Sequence, residues 1–141
     1  MSWPSVVLLA STQECAAIET KVRSLGTEED PLSEGDFLHW NGNSYALDFS
    51  GDVLSDFEPE EIEEARRRTG AEPHAIYVSC QSMDAARMFL SYVLRGFSGL
   101  IDTDYGDVIE FAEFLDLIEK YPQWDWRRTE VAELLGQAGD A

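Results

Sequence analysis

The chain has 141 residues, of which 28 are acidic and 10 are basic, and its formal net charge is −18 at pH 7. This length fits a single domain spanning residues 1–141, and a hydrophobic content of 44% is enough for a packed core. The charge argues against binding to nucleic-acid phosphates and to anionic membranes. No run approaches the roughly 20 apolar residues of a membrane span, and the first residues lack a basic leader, so we expect a cytoplasmic protein.

The acidic residues are concentrated in two parts of the chain. Residues 24–65 contain thirteen acids without a Lys or Arg, and residues 96–119 contain seven more, again without a base. Everything else carries a net charge of +2. This segregation predicts a localised acidic surface that attracts a basic partner.

The first half of the chain predicts a strand, a helix and a hairpin. The apolar run at 6–10 is typical of a strand buried on both faces, and Ser11 to Glu14 fit a capping box for a helix that ends near Gly26. Residues 27–36 combine proline, glycine and acids and are predicted to form an exposed loop. Two short apolar segments then flank residues 41–43, Asn-Gly-Asn, which favour a tight hairpin turn.

The second half continues the alternation. Glu58 opens a helix that runs to about Thr69 with little apolar surface, residues 75–79 predict another buried strand, and Ser82 is a plausible N-cap for a long amphipathic helix. We therefore predict an α/β fold, with α+β as the alternative. The expected architecture is a single domain with a mixed sheet of about four to six strands and about three to four helices packed on it.

Residues 99–114 fit two different structures. As an EF-hand loop beginning at Asp102, the segment would bind calcium through Asp102, Asp104, Glu110 and Glu113. However, loop position 5 is Gly106 and position 6 is Asp107, so a ligand and the usual turn glycine are both lost. A β-hairpin that pairs 99–102 with 107–110, followed by a helix over 111–121, is the favoured prediction.

The sequence offers little catalytic chemistry. It contains no GxSxG, P-loop, GxGxxG or HExxH motif. We expect a structural role for His39 in its strand and an exposed position for His74. Cys15 and Cys80 lie in no metal-ligand spacing and are predicted to be buried thiols. We therefore expect a non-enzymatic protein that needs neither a cofactor nor a metal.

Two tryptophans follow the last predicted helix. We expect Trp124 and Trp126 to hold the segment 129–135 against the body of the domain. The alternative is that one of them is exposed and anchors a protein interface, where tryptophan is enriched. Residues 136–141 are predicted to fray.

The run from Gly99 to Ile109, together with Phe114-Leu115 and Trp124-Asp125-Trp126, resembles small α/β immunity proteins of bacterial polymorphic-toxin systems. The resemblance covers about the last 60 residues. Such proteins bind a cognate toxin domain in the producing cell and block its active site or hold it inactive. The resemblance therefore implies an inhibitor whose partner is a toxin domain.

We predict an acidic protein-binding module, specifically an immunity-type inhibitor of a basic toxin or effector domain, without a nucleic-acid or membrane partner. One rival is a calcium-binding protein that uses the 102–113 loop. The other is a nucleic-acid mimic whose carboxylates imitate phosphates. The candidate partner-binding residues are Glu28, Glu29, Asp30, Asp52, Asp56, Glu58, Glu60, Glu61, Asp102, Asp104, Tyr105 and Asp107.

Overall fold

A computed structural model describes residues 3–29 and 35–139, with only the backbone described at 137–139. The strands are β1 (Ser5–Ser11), β2 (Glu28–Glu29), β3 (Asp36–Trp40), β4 (Asn43–Asp48), β5 (Pro73–Cys80), β6 (Leu100–Asp102) and β7 (Val108–Glu110). The helices are α1 (Thr12–Arg23), α2 (Pro59–Thr69), α3 (Met83–Val93), α4 (Phe111–Lys120) and α5 (Val131–Gly139), and a 3-10 helix (Asp52–Asp56) precedes α2.

The described strands form one open sheet in the order β2-β3-β4-β5-β1-β6-β7. The predicted α/β class is confirmed, but the sheet is antiparallel throughout rather than mixed. It has seven strands in the described ranges because Glu28–Glu29, which the sequence placed in a loop, pair with the start of β3. Five α-helices are described there, because the segment after the tryptophans also forms one.

Helices cover both faces of the sheet. On the front face, α1, α3, α4 and α5 bury the main core, which includes Val6 and Leu8 of β1. On the back face, α2 and the 3-10 helix cover a smaller apolar cluster that includes Val7 and Leu9. Neighbouring residues of a strand point to opposite faces, so β1 is buried on both, as predicted.

Both predicted hairpins are confirmed, and in each the turn contains two residues in the left-handed region. Asn41 has φ 50° and Gly42 has φ 79° between β3 and β4. Asp104 has φ 68° and Gly106 has φ 112° between β6 and β7. Gly, Asn and Asp are the residue types that adopt this conformation most readily, which explains why both turns could be recognised.

The capping box predicted at the start of α1 is only half formed. The Ser11 hydroxyl accepts a hydrogen bond from the Glu14 amide at 3.1 Å, but the Glu14 carboxylate accepts from the Ser98 amide at 3.5 Å. The full reciprocal capping box lies instead at the start of α2, between Glu58 and Glu61. The carboxylate of Glu61 is therefore held by the backbone of its own helix.

The C-terminal segment packs as predicted. Trp124 and Trp126 are both buried, with Trp126 5.3 Å from Phe114 between ring centroids. The Trp124 indole N–H donates to the Thr129 carbonyl at 2.7 Å. Helix α5 then continues through Gly139, so the tail expected to fray at 136–141 is helical as far as 139, and 140–141 lie outside the described residues.

Both cysteines are buried, whereas the two histidines differ in their exposure. Burial raises the pKa of the Cys15 thiol to about 11 and that of Cys80 to about 12, which confirms the prediction of buried thiols. His74 is half-buried rather than exposed, because its Nε2 lies 3.2 Å from the Phe49 carbonyl and its ring closes over Gly51. His39 is exposed on β3, with its Nδ1 2.9 Å from the Ser44 hydroxyl.

Among the described helices, none combines the length and the apolar character that crossing a membrane requires.

Candidate functional site: an acidic cleft

A cleft of about 210 Å³ opens on the back face, between the helical layer and the neighbouring strands β1 and β6. Four carboxylates line it, and we call it the acidic cleft: Asp56, Glu61, Asp102 and Asp104. Its apolar lining consists of Val6, Val7, Val53, Phe57 and the ring of Tyr77. The site therefore combines negative charge with an apolar wall.

Two chain segments bring these carboxylates together. The 3-10 helix ends at Asp56, the backbone extends at Phe57, and α2 then presents Glu61 in its first turn. On the other side, β6 pairs with β1 so that Asp102 lies opposite Val7. The cleft thus depends on the strand order, which places residues 56–61 beside residues 102–104.

Two of the four cleft carboxylates accept backbone hydrogen bonds that hold them in place. Glu61 accepts from the Glu58 amide at 2.8 Å, and Asp102 accepts from the Asp104 amide at 2.8 Å. The Tyr77 hydroxyl donates to the Ser5 hydroxyl at 2.9 Å, which fixes the ring at the cleft wall. A preorganised site loses less conformational entropy when a ligand binds.

The carboxylate of Asp102 has a raised pKa. Its partial burial raises the pKa, and the nearby negative charges of Asp104 and Glu61 raise it further, against the opposing effect of its backbone hydrogen bond. Its ionised form is therefore short of stabilising partners. A cation that entered the cleft would supply the missing interaction.

The ion pairs that the structure describes do not involve the cleft carboxylates. None of the described residues that line the acidic cleft is a Lys or Arg. Where the structure describes ion pairs, they use a different set of acids, namely Glu19, Asp36, Glu63, Glu64, Glu72, Asp84 and Asp125. The cleft therefore keeps its negative charge uncompensated by ion pairs within the described ranges.

The other predicted contact residues are divided between three places. Asp52, Glu58 and Glu60 lie on the same two helices as the cleft acids but do not line it, and Tyr105 is exposed at the tip of the β6–β7 hairpin. Glu28 and Glu29 lie on β2, five strands away from β6, which corresponds to about 24 Å at the usual strand spacing. Asp30 lies outside the described residues.

Asp107 has a structural role that the sequence did not reveal. Its carboxylate accepts a hydrogen bond from the Val131 amide at 2.8 Å, and Val131 is the first residue of α5. The side chain thus caps a helix that is distant in sequence, and its negative charge is favourable at that helix end. Asp107 therefore has a structural role at the start of α5.

The EF-hand structure is not formed. Leu100–Asp102 pair with Val108–Glu110 as strands, so Asp102 and Glu110 belong to a hairpin, and Glu113 lies in the first turn of α4. No group of three or more His, Cys, Asp or Glu side chains in the described part of the chain is arranged to hold a metal. Among the described carboxylates, those of Glu28–Glu29 and those of the acidic cleft lie near opposite edges of the sheet.

Fold and site together define an acidic α/β domain with an antiparallel sheet, helices on both faces and a cleft suited to a cationic group. Comparisons with protein-family models, with curated proteins and with solved structures find no match to this chain.

Proposed function

We propose that this protein is an acidic protein-binding module, specifically an immunity-type inhibitor that binds and neutralises a cognate basic toxin domain in the cytoplasm of the producing cell. The observation that carries the proposal is the acidic cleft, where four carboxylates surround an apolar wall without a basic neighbour among the described lining residues. The resemblance of residues 99–126 to immunity proteins supports the same conclusion.

A Lys or Arg side chain of the partner matches this cleft chemically. Its methylene groups would contact Val53 and Phe57, while its charged end would lie among the carboxylates. An Arg guanidinium would in addition stack on the Tyr77 ring. Occupation of the cleft would relieve the unfavourable charge of Asp102 and would hold a basic residue of the toxin away from its own substrate.

The segregated charge also suits the kinetics that an inhibitor needs. The two base-free segments carry −20 and all other residues together carry +2, and the four cleft carboxylates belong to these two segments. The resulting negative field steers a basic protein to the correct face and can raise its association rate by about 10-fold or more at low salt.

The test is rescue of growth by co-expression. We predict that the neighbouring reading frame encodes the cognate toxin domain, and its product would be expressed with the wild type, with a cleft variant (D56N/E61Q/D102N/D104N) or with a control variant (E113Q/D116N/E119Q/E133Q). The control also removes four negative charges, but from α4 and α5 on the front face of the sheet. Asn is tolerated at the positive φ of residue 104, and Gln at 61 keeps the capping acceptor.

We expect the wild type and the control variant to restore growth and the cleft variant to fail while remaining folded. Full rescue by the cleft variant would show that the cleft is not the contact surface. Failure of the wild type to restore growth or to bind the toxin domain would contradict the immunity function itself.

A further inference from the structure

An apolar groove lies beside the acidic cleft and shares two of its lining residues, Phe57 and Glu61. It has a volume of about 230 Å³ and runs between α2 and the β6–β7 hairpin. Its apolar lining is formed by Leu9, Phe57, Ala65, Leu100 and Val108. Phe57 and Val108 are only partly buried by the apolar cluster of the back face, so the described residues leave this surface open.

The edges of the groove are charged. Glu60 and Glu64 lie one helical turn apart along α2, and Glu61 faces both the groove and the acidic cleft. Arg68 lies near the last turn of α2, where its guanidinium donates to the Val108 carbonyl at 2.8 Å and so ties the helix to the hairpin. The two cavities thus meet at Phe57 and Glu61.

We propose that this groove binds an apolar side chain of the basic partner, so that the partner segment presents an apolar residue next to a Lys or Arg. The proposal rests on the proposed function, because it names the chemistry of the partner at the same face. Charge complementarity selects the occupant: a segment that enters between Glu60, Glu61 and the cleft carboxylates must carry positive charge beside its apolar anchor.

The two cavities contribute differently to binding because their lining residues differ. The acidic cleft attracts and orients the cationic group, whereas the groove removes apolar surface from water, which supplies affinity with little dependence on salt. An apolar anchor in a pocket, surrounded by polar contacts, is the usual arrangement of a binding hot spot.

Two matched probes separate these contributions: a short Lys-rich peptide that contains one Leu, and the same peptide with Ser in place of Leu. The groove is well suited to methyl NMR, because Leu9, Ala65, Leu100 and Val108 all carry methyl groups, and Val53 reports on the acidic cleft. Binding would be followed with the wild-type protein, so the result does not depend on whether a variant folds.

We expect the Leu peptide to shift the groove methyls and those of Val53, and the Ser peptide to shift Val53 alone. The Leu peptide should bind about 10-fold more tightly. Val108→Phe should fill the groove and reduce this ratio to near one without weakening the Ser peptide.

Equal affinities, or shifts confined to the cleft with both peptides, would overturn the groove assignment and leave the cation-binding proposal standing. Shifts at neither site with either peptide would contradict both.

Discussion

Replacement of Asp107 by Ala should destabilise the protein without weakening its partner binding. The carboxylate accepts a 2.8 Å hydrogen bond from the Val131 amide at the start of α5. Loss of a helix cap of this kind costs about 1 kcal/mol, within a range of about 0.5–2 kcal/mol. For a chain of this size, 1 kcal/mol corresponds to a decrease in Tm of about 3–4 °C.

The effect can be measured by urea and thermal unfolding, followed by circular dichroism and by the fluorescence of the buried Trp124 and Trp126. Asp107→Asn keeps an acceptor oxygen and should lose less stability than the Ala variant. Asp116→Ala removes the same charge from an exposed position on α4 and serves as the control. An Asp107→Ala variant as stable as this control would refute the capping role, and one that binds the partner markedly less well would refute a purely structural role for Asp107.

Two further predictions concern substitutions at two glycines and the charge of Asp102 in the cleft. Gly99→Ala should cost about 1–3 kcal/mol in denaturant unfolding, because a Cβ would lie 2.7 Å from the Phe111 ring and 2.8 Å from the Leu9 carbonyl. Gly136→Ala, with open space at its Cβ in α5, should instead stabilise by about 0.5–1 kcal/mol, and equal effects at both positions would contradict this reasoning. Asp102→Asn should be more stable than the wild type near neutral pH, with a difference that shrinks as pH falls through the raised folded-state pKa of Asp102 and is smallest below its ordinary value of 3.8. The sign follows because folding raises the pKa of the Asp102 carboxyl above its ordinary 3.8. The wild-type carboxyl therefore favours folding most below that value, and this contribution is lost as pH rises through the folded-state pKa. A stability difference between the two proteins that does not change between pH 3 and pH 7 would contradict this prediction.

The elements that sequence reasoning found are those with local signals. The sequence signal lies within a few residues in each case: the apolar run of β1, the Asn41-Gly42 turn and the Gly106 turn. In contrast, β2 consists of two glutamates with no hydrophobic periodicity, and it forms only because β3 offers a free edge. A strand of two exposed glutamates shows no alternation of apolar and polar residues, so it leaves little trace in the sequence.

The acidic cleft was predicted in part. Its four carboxylates were all among the candidate residues, but nothing local indicated that Asp56 and Glu61 meet Asp102 and Asp104, because this depends on β6 lying beside β1. The same dependence on tertiary structure explains why the capping role of Asp107 could not be predicted, since its hydrogen-bond partner Val131 is 24 residues away. Val53 and Phe57, apolar residues inside an acidic segment, were the available signal for the cleft wall.

The most direct test of the acidic cleft is the affinity for the neighbouring toxin domain, measured by calorimetry at several salt concentrations with the wild type, the cleft variant and the front-layer control. The cleft variant D56N/E61Q/D102N/D104N should have a Kd about 100-fold higher than the wild type at low salt, and its Kd should depend less on salt. The control variant should change Kd by less than about 3-fold. Equal losses in the two variants would contradict a localised docking site and would leave only a diffuse effect of net charge.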